Sequence, residues 1–84
     1  MLTEKEKAMA MEWIGNRIEQ AKSENKHQSS YCLKHILQHE TGLYVENDEF
    51  KGLMCRCGYA PVNPSALNWT FRIRRVEESK KSYS

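Results

Sequence analysis

The chain lacks the features that mark several large classes of protein. No apolar run approaches the roughly 18 residues of a membrane-spanning helix. The first residues are charged and contain no apolar stretch of the kind found in export signals. The net charge is +2, whereas a DNA mimic needs a dense acidic surface and a strongly negative net charge. Repeats and a glycine-rich phosphate loop are also missing. We therefore expect a cytoplasmic protein without a membrane partner.

Cysteine is scarce as well, and its count is informative. Three cysteines are an odd number, which fits poorly with the disulfide framework of a secreted domain. The thiols are therefore expected to be free or bound to metal, as in cytosolic proteins. A chain of 84 residues forms one domain at most, and an apolar core of this size gives only marginal stability. Chains of this size often need a disulfide or a structural metal ion for stability.

The apolar spacing predicts a small single α+β domain over residues 1–75. The predicted order is α-α-β-α-β with a short antiparallel sheet, similar to a degenerate winged helix. Helical periodicity and capping signals account for the helices, and alternation accounts for the last strand. That strand is expected to pair with Tyr44-Val45 or with Tyr59–Val62. The predicted elements are helices 4–23, 31–40 and 48–57, the latter capped by Asn47, a short strand at Leu43–Val45 and a strand at 68–74.

Positive charge is concentrated at the end of the sequence. Residues 71–84 carry five basic and two acidic residues, a net charge of +3. We predict a frayed basic tail over 76–84. The residues proposed to contact a partner are Trp13 on the first helix and Arg72, Arg74 and Arg75 of the last strand. The binding face is thus predicted on the first helix or on the polar face of the strand.

The second helix carries three potential metal ligands, Cys32, His35 and His39. Steps of 100° place them within about 60° of one another around the helix axis. Cys32 and His39 are seven residues apart, about 10 Å along the axis at 1.5 Å per residue, which is far for one shared ion. His35 lies three residues from Cys32 and four from His39. It can therefore pair with either.

Cys55 and Cys57 provide the other half of the predicted site. An i, i+2 pair points to opposite sides of a continuous helix, so both can bind one ion only if the helix ends near Cys55. Cys32, His35, Cys55 and Cys57, with His39 as the alternative to Cys32, would form a closed structural zinc site. In the other interpretation Cys57 is a core residue, Cys55 is exposed and Cys32 is a small buried apolar residue.

The sequence does not predict an enzyme. A Cys32–His35 nucleophile pair would lack a third orienting group and a cradle for a developing negative charge. The acidic residues 46–49 are typical of the start of a helix rather than of an acid–base pair.

Reading of DNA is the alternative function. A complete winged helix would need another helix after 48–57 to enter the major groove. Asp48 and Glu49 would also repel phosphate. Only the basic carboxyl-terminal strip of Arg72, Arg74, Arg75, Lys80 and Lys81 could contact DNA. The alternative function is therefore a small DNA-binding transcriptional regulator that uses this strip.

From Tyr31 to Ile73 the chain resembles small accessory proteins carried by phages and mobile elements of Gram-positive bacteria. The matching pieces are Ser30-Tyr31, Leu33-Lys34-His35, Gly42, Tyr44-Val45, Asn47, Glu49-Phe50-Lys51, Gly58-Tyr59, Pro61-Val62, Pro64, Asn68-Trp69 and Phe71. The three cysteines depart from this pattern, so a metal site would be a feature of this chain and not of the group.

The resemblance implies a phage accessory protein, and some proteins of this size and origin are anti-CRISPR inhibitors. The predicted function is therefore a non-enzymatic, phage-borne inhibitor of a host protein, stabilised by structural zinc. A type II CRISPR effector nuclease is the most concrete partner, with nucleic acid secondary. Such a protein would act in the cytoplasm of the infected bacterial host, as a monomer or a homodimer.

Overall fold

Three helices and a two-stranded antiparallel sheet make up the fold in the computed structural model, which describes residues 2–76. The elements are α1 Glu4–Arg17, β1 Ile18–Gln20, α2 Ser30–Thr41, α3 Asn47–Arg56 and β2 Ile73–Arg75. The predicted α+β class is confirmed. The order is α-β-α-α-β, however, so the first strand precedes α2 instead of following it.

Helix α1 begins as predicted and ends earlier. The Thr3 hydroxyl accepts from the Glu6 amide at 3.1 Å, and the Glu6 carboxylate accepts from the Thr3 amide at 2.9 Å. The predicted extension to residue 23 is wrong, since Ile18 is extended (φ −128°, ψ 135°) and starts β1. Pairing of β1 with a distant strand, together with full burial of the β-branched Ile18, outweighs the helical spacing of the segment.

Helices α2 and α3 match their predicted ranges to within one residue at each end. Gly42 caps α2 with φ 80°, a left-handed conformation that glycine adopts without steric cost. The N-cap of α3 is Glu46, which forms a capping box with Glu49, rather than the predicted Asn47. The predicted strand at Leu43–Val45 is wrong. Those residues connect the two helices, and Val45 is fully buried there.

The alternation predicted for 68–74 is confirmed, whereas its pairing differs in part. Phe71 and Ile73 are buried, and Trp69 is half-buried. Regular strand structure covers only Ile73–Arg75, which pairs with β1 and not with Tyr44-Val45. The other predicted partner, Tyr59–Val62, contributes one antiparallel bridge between Pro61 and Phe71.

One apolar core joins these elements. Helix α3 contacts both α1 and α2, and α1 contacts β1. The fully buried large apolar side chains are Ile14, Ile18, Leu33, Leu37, Val45, Phe50, Met54 and Phe71. The Val76 amide donates to the Arg17 carbonyl at 2.7 Å, which extends the strand pairing by one residue. Apart from Val76, the predicted tail at 76–84 lies outside the described residues.

Candidate functional site

The predicted zinc ligands are dispersed in the structure. Cys32 and His35 are exposed on α2, and Cys55 is exposed on α3. His35 packs edge-to-face against Tyr31, with ring centroids 4.5 Å apart. Within residues 2–76 no three Cys, His, Asp or Glu side chains form a group that could hold one metal ion. The four ligands are therefore not assembled here, and His39, the alternative, is exposed near the end of α2. Zinc binding stays a prediction.

Cys57 has the surroundings of a core residue. It caps α3 just after the helix ends at Arg56, and it packs against the hydrophobic core. Burial raises the pKa of the Cys57 thiol. The neutral thiol is therefore favoured, whereas metal coordination requires the thiolate. This agrees with the second interpretation for Cys57 and for the exposed Cys55, but the buried position predicted there for Cys32 is wrong, because Cys32 is exposed.

Trp13, predicted to contact a partner, is part of the core. Its side chain is only 7% exposed, and its Nε1 donates to Glu40 Oε1 at 2.8 Å. The same carboxylate accepts from Arg17 at 3.2 Å. Because the ring packs inward and its indole nitrogen already has an acceptor, Trp13 is not presented to a partner surface. In the sequence, Trp13 falls beside the helically spaced apolar residues of the first helix and is not one of them.

The three arginines of the last strand differ in their surroundings. Arg72 is exposed, and Arg75 is half-buried. Arg74 is exposed and forms an ion pair with Glu19 across the β1–β2 pair. The charge of Arg74 is thus already balanced by a carboxylate of the chain. The remaining bases of the predicted strip, Lys80 and Lys81, lie outside the described residues.

Several residues of the phage-protein pattern form a polar network at the starts of α2 and α3. Ser30 is fully buried, and its hydroxyl donates to Asn47 Oδ1 at 2.9 Å and accepts from the Trp69 amide at 3.1 Å. Asn47 Nδ2 in turn donates to the Leu67 carbonyl at 3.3 Å and to Asn68 Oδ1 at 3.2 Å. The network ties two helices to the loop before β2, so these pattern residues have a structural role here.

Lys51, another pattern residue, lies beside this network. Its Nζ is 5.0 Å from the centre of the Trp69 ring and 3.9 Å from an Asp48 carboxylate oxygen. A lysine over an indole face gains a cation–π attraction, and the nearby carboxylate balances its charge. The Lys51 cluster, which consists of Lys51, Trp69 and Asp48, therefore gives the lysine both a ring and a weakly interacting carboxylate of the chain.

A second lysine–aromatic group is formed by α2 and the segment that follows it. Lys34 Nζ is 5.2 Å from the centre of the Tyr31 ring and 5.5 Å from that of Tyr44. The two rings are 49% and 62% exposed, whereas Lys34 is only 6% exposed. We call Tyr31, Lys34 and Tyr44 the Lys34 cluster. It forms an aromatic surface with a cation at its centre, a combination suited to binding.

These three residues belong to the phage-protein pattern but were not predicted to form a site. A signal was present, because Tyr31 and Lys34 are three residues apart and therefore neighbours on one helix face. Tyr44 lies after the glycine that ends α2. Nothing in the local spacing indicates that the chain turns back there to bring Tyr44 onto the same lysine.

Helices α2 and α3 are consecutive, with Gly42 at the turn, as in a helix-turn-helix. If this pair acted as a helix-turn-helix, α3 would be the helix that enters the major groove, in place of the further helix expected after 48–57. Its start carries the exposed Glu46 and Asp48, the latter with a 96% exposed side chain. Acidic residues at this end would meet DNA phosphates unfavourably.

Comparison of the chain with protein-family models, curated proteins and solved structures gives no match. The resemblance to phage accessory proteins therefore stays a prediction. Among residues 2–76, no helix has the length and apolar character required to cross a bilayer.

Proposed function

We propose that this chain is a non-enzymatic binding domain that inhibits a host protein. The observation that carries the proposal is the exposure of Tyr31 and Tyr44 side by side around Lys34. Large aromatic side chains are enriched in protein–protein interfaces, where they provide contact area at low conformational cost. The acidic start of α3 favours a protein over DNA as the partner.

In its most concrete form, the proposal is an anti-CRISPR protein that acts on a type II CRISPR effector nuclease. This target follows from the resemblance to phage accessory proteins, which would place the chain in the cytoplasm of an infected bacterial host. With a small net charge of +2, the inhibitor would occlude a protein surface or compete for guide or target loading rather than imitate DNA.

The test is cleavage of a guide-matched DNA by a purified type II effector nuclease, with and without the chain. We expect cleavage to fall as the chain approaches the enzyme concentration. Replacement of both Tyr31 and Tyr44 by Ala should restore cleavage. Leu67→Ala is the matched control, because Leu67 is an 80% exposed apolar residue outside the Lys34 cluster. Unchanged cleavage at a large excess of the chain would rule out this target.

A small DNA-binding regulator is the second candidate. The consecutive helices α2 and α3 and the exposed Arg72 favour it. Arg72→Glu reverses an exposed charge that forms no ion pair within residues 2–76, whereas Arg74→Glu also removes the ion pair with Glu19. If the regulator is correct, fluorescence anisotropy should show duplex binding that weakens with Arg72→Glu and with rising salt. Inhibition retained by Arg72→Glu without DNA affinity would favour the inhibitor.

Structural zinc is a separate proposal with its own measurement. Native mass spectrometry in zinc-containing buffer, with and without chelator, reports directly whether the chain holds an ion. One bound zinc, lost together with stability on chelation or in Cys57→Ser, would support it, because structural zinc contributes on the order of 10 kcal/mol in small domains. The mass of the bare polypeptide and unchanged unfolding of Cys57→Ser would exclude it.

A further inference from the structure

The ammonium of Lys34 is unusual in its surroundings. The residue is 6% exposed and lies on the buried side of α2 with Leu33 and Leu37. Its polar head faces two tyrosine rings, and within residues 2–76 it has neither a hydrogen-bond acceptor nor a carboxylate at ion-pair distance. The residue is thus largely buried, next to two rings that are themselves exposed.

The ammonium of Lys34 therefore lacks a counter-charge among residues 2–76. Moving a cation out of water costs free energy unless a counter-charge or hydrogen bonds replace the lost hydration. Two ring faces replace part of it through cation–π attraction. A carboxylate would replace more, as Asp48 does for Lys51 at 3.9 Å. The Lys34 cluster therefore has the two parts of a binding site for an anionic group: a largely buried lysine and two exposed aromatic walls.

We propose that the Lys34 cluster binds an aspartate or glutamate side chain of a partner protein. The carboxylate would contact Lys34 Nζ, and the methylene groups and adjoining backbone of the partner would pack between the rings of Tyr31 and Tyr44. Interface hot spots are enriched in tyrosine and lie in well-packed pockets that exclude water, and the two tyrosines would form such a pocket around the partner's carboxylate. This inference rests on the proposed protein-binding function and specifies its chemistry.

Charge complementarity selects a single carboxylate over a nucleic-acid backbone. Glu46 lies two residues after Tyr44 and is exposed, so its carboxylate is near the Lys34 cluster. A phosphodiester chain carries many charges within the screening length of about 8–10 Å, so it would meet Glu46 as well as Lys34. One acidic side chain needs only local access to Lys34. The repulsion therefore acts more strongly on DNA or RNA than on a peptide with one carboxylate.

The experiment is an NMR titration of the isolated chain with two blocked peptides of sequence Ala-Leu-Glu-Leu-Ala and Ala-Leu-Gln-Leu-Ala. We expect saturable shifts of the Lys34 side-chain and Tyr31 and Tyr44 ring signals with the Glu peptide. The Gln peptide should bind about tenfold more weakly, since it lacks the charge. Equal shifts with both peptides, or none at roughly millimolar concentrations, would overturn the proposal.

Two matched variants identify the residue responsible. Lys34→Met keeps a long apolar stem but removes the charge, so the preference for Glu over Gln should disappear. Lys51→Met removes a lysine from the other aromatic ring and should leave the preference intact. Tyr44→Ala, at a 62% exposed position, offers a second test that does not disturb the core and should weaken binding of the Glu peptide. Retained preference in Lys34→Met or unchanged binding in Tyr44→Ala would contradict the proposal.

A short single-stranded oligonucleotide serves as the competing ligand. If it shifts the same signals at lower concentration than the Glu peptide, the cluster is a nucleic-acid site and our proposal is wrong. The peptide titration uses no nuclease, so its result is independent of the cleavage assay. Unaffected cleavage together with selective Glu-peptide binding would reject the target and support the docking chemistry. Inhibition undiminished in Lys34→Met would reject the docking chemistry and leave the inhibitor in place.

Discussion

The Lys51 and Lys34 clusters both place a lysine against aromatic rings, but only Lys51 also has a carboxylate nearby within residues 2–76. Lys51 lies over one indole ring and has a carboxylate at 3.9 Å, and its side chain is 13% exposed. Lys34 lies against two phenol rings, is 6% exposed as a residue and has no carboxylate at ion-pair distance among residues 2–76. The chain thus completes one lysine–aromatic group internally and leaves the other open.

The surroundings of the two groups explain the difference. Trp69 belongs to the loop that the Ser30–Asn47 network holds in place, and its ring packs edge-to-face on the buried Phe71 at 6.2 Å. Tyr31 and Tyr44 are exposed and border solvent. Aromatic rings of similar size therefore support the fold in one group and form surface in the other. Substitutions in the two groups should affect different properties.

The largest expected effect is the stability lost on truncation of an aromatic ring. Trp69→Ala removes a half-buried ring together with its contacts to Lys51 and Phe71, so we expect a loss of about 2–3 kcal/mol. Tyr44→Ala removes a mostly exposed ring and should cost about 1 kcal/mol or less. Urea unfolding of both variants gives the comparison. Equal losses would mean that the two groups do not differ in structural role.

The hydrogen bonds that support the Lys51 cluster give the next effect. Ser30→Ala leaves Asn47 Oδ1 and the Trp69 amide without their shared partner, and we expect a loss of about 1–2 kcal/mol. Ser29→Ala is the matched control. Ser29 is the N-cap of α2 but forms no side-chain capping bond, so its removal should cost roughly 0.5 kcal/mol or less. Similar losses in both variants would show that the Ser30 network contributes little.

Removal of the lysine charge should change stability with opposite sign in the two groups. Lys34→Met replaces an unpaired, largely buried cation by an apolar side chain, which we expect to leave stability unchanged or raise it by up to about 1 kcal/mol. Lys51→Met removes a cation–π contact and a weak, solvent-screened ion pair, a loss of roughly 0.5 kcal/mol. Chemical denaturation at fixed ionic strength measures both. A clear loss in Lys34→Met would indicate that its charge is satisfied in the free chain.

The smallest expected effect is a pH-dependent change in stability that comes from Glu49 in α3. The Leu2 amide donates to Glu49 at 3.1 Å and lowers the pKa of this carboxyl below its ordinary value of 4.5. The lowered pKa means that the carboxylate stabilises the fold above pH 4.5 and that this contribution is lost as the pH falls through the folded-state value. Glu49→Gln should therefore lose less stability than the parent chain between about pH 6 and pH 3. An identical loss would exclude a role for Glu49.

Local patterns determine the parts of the fold that the sequence predicts well. The ranges of α2 and α3 follow from a 3.6-residue apolar period and from Gly42. Strand β1 was missed because its pairing partner is about 55 residues away, and Ile18 fits a helical stripe as well as a strand. Long-range pairing of this kind leaves no trace in a local window.

The candidate site shows the same limit. Spacing alone groups Cys32 with His35, but it does not determine whether Cys55 and Cys57 approach them. Lys34 and Tyr31 share a helix face by spacing, whereas Tyr44 joins them only through the turn after Gly42. Tertiary contacts thus decide which chemistry-bearing residues meet.

The β1–β2 pairing also sets an order of events during synthesis. Ile18 emerges early, yet its strand partner Arg75 follows more than 50 residues later. Closing so long a loop carries an entropic cost before any ladder bond forms, so we expect the sheet to form after the helices. During that interval Ile18, fully buried in the finished fold, is exposed on the growing chain. The nascent chain is therefore most prone to aggregation before residue 75 becomes available.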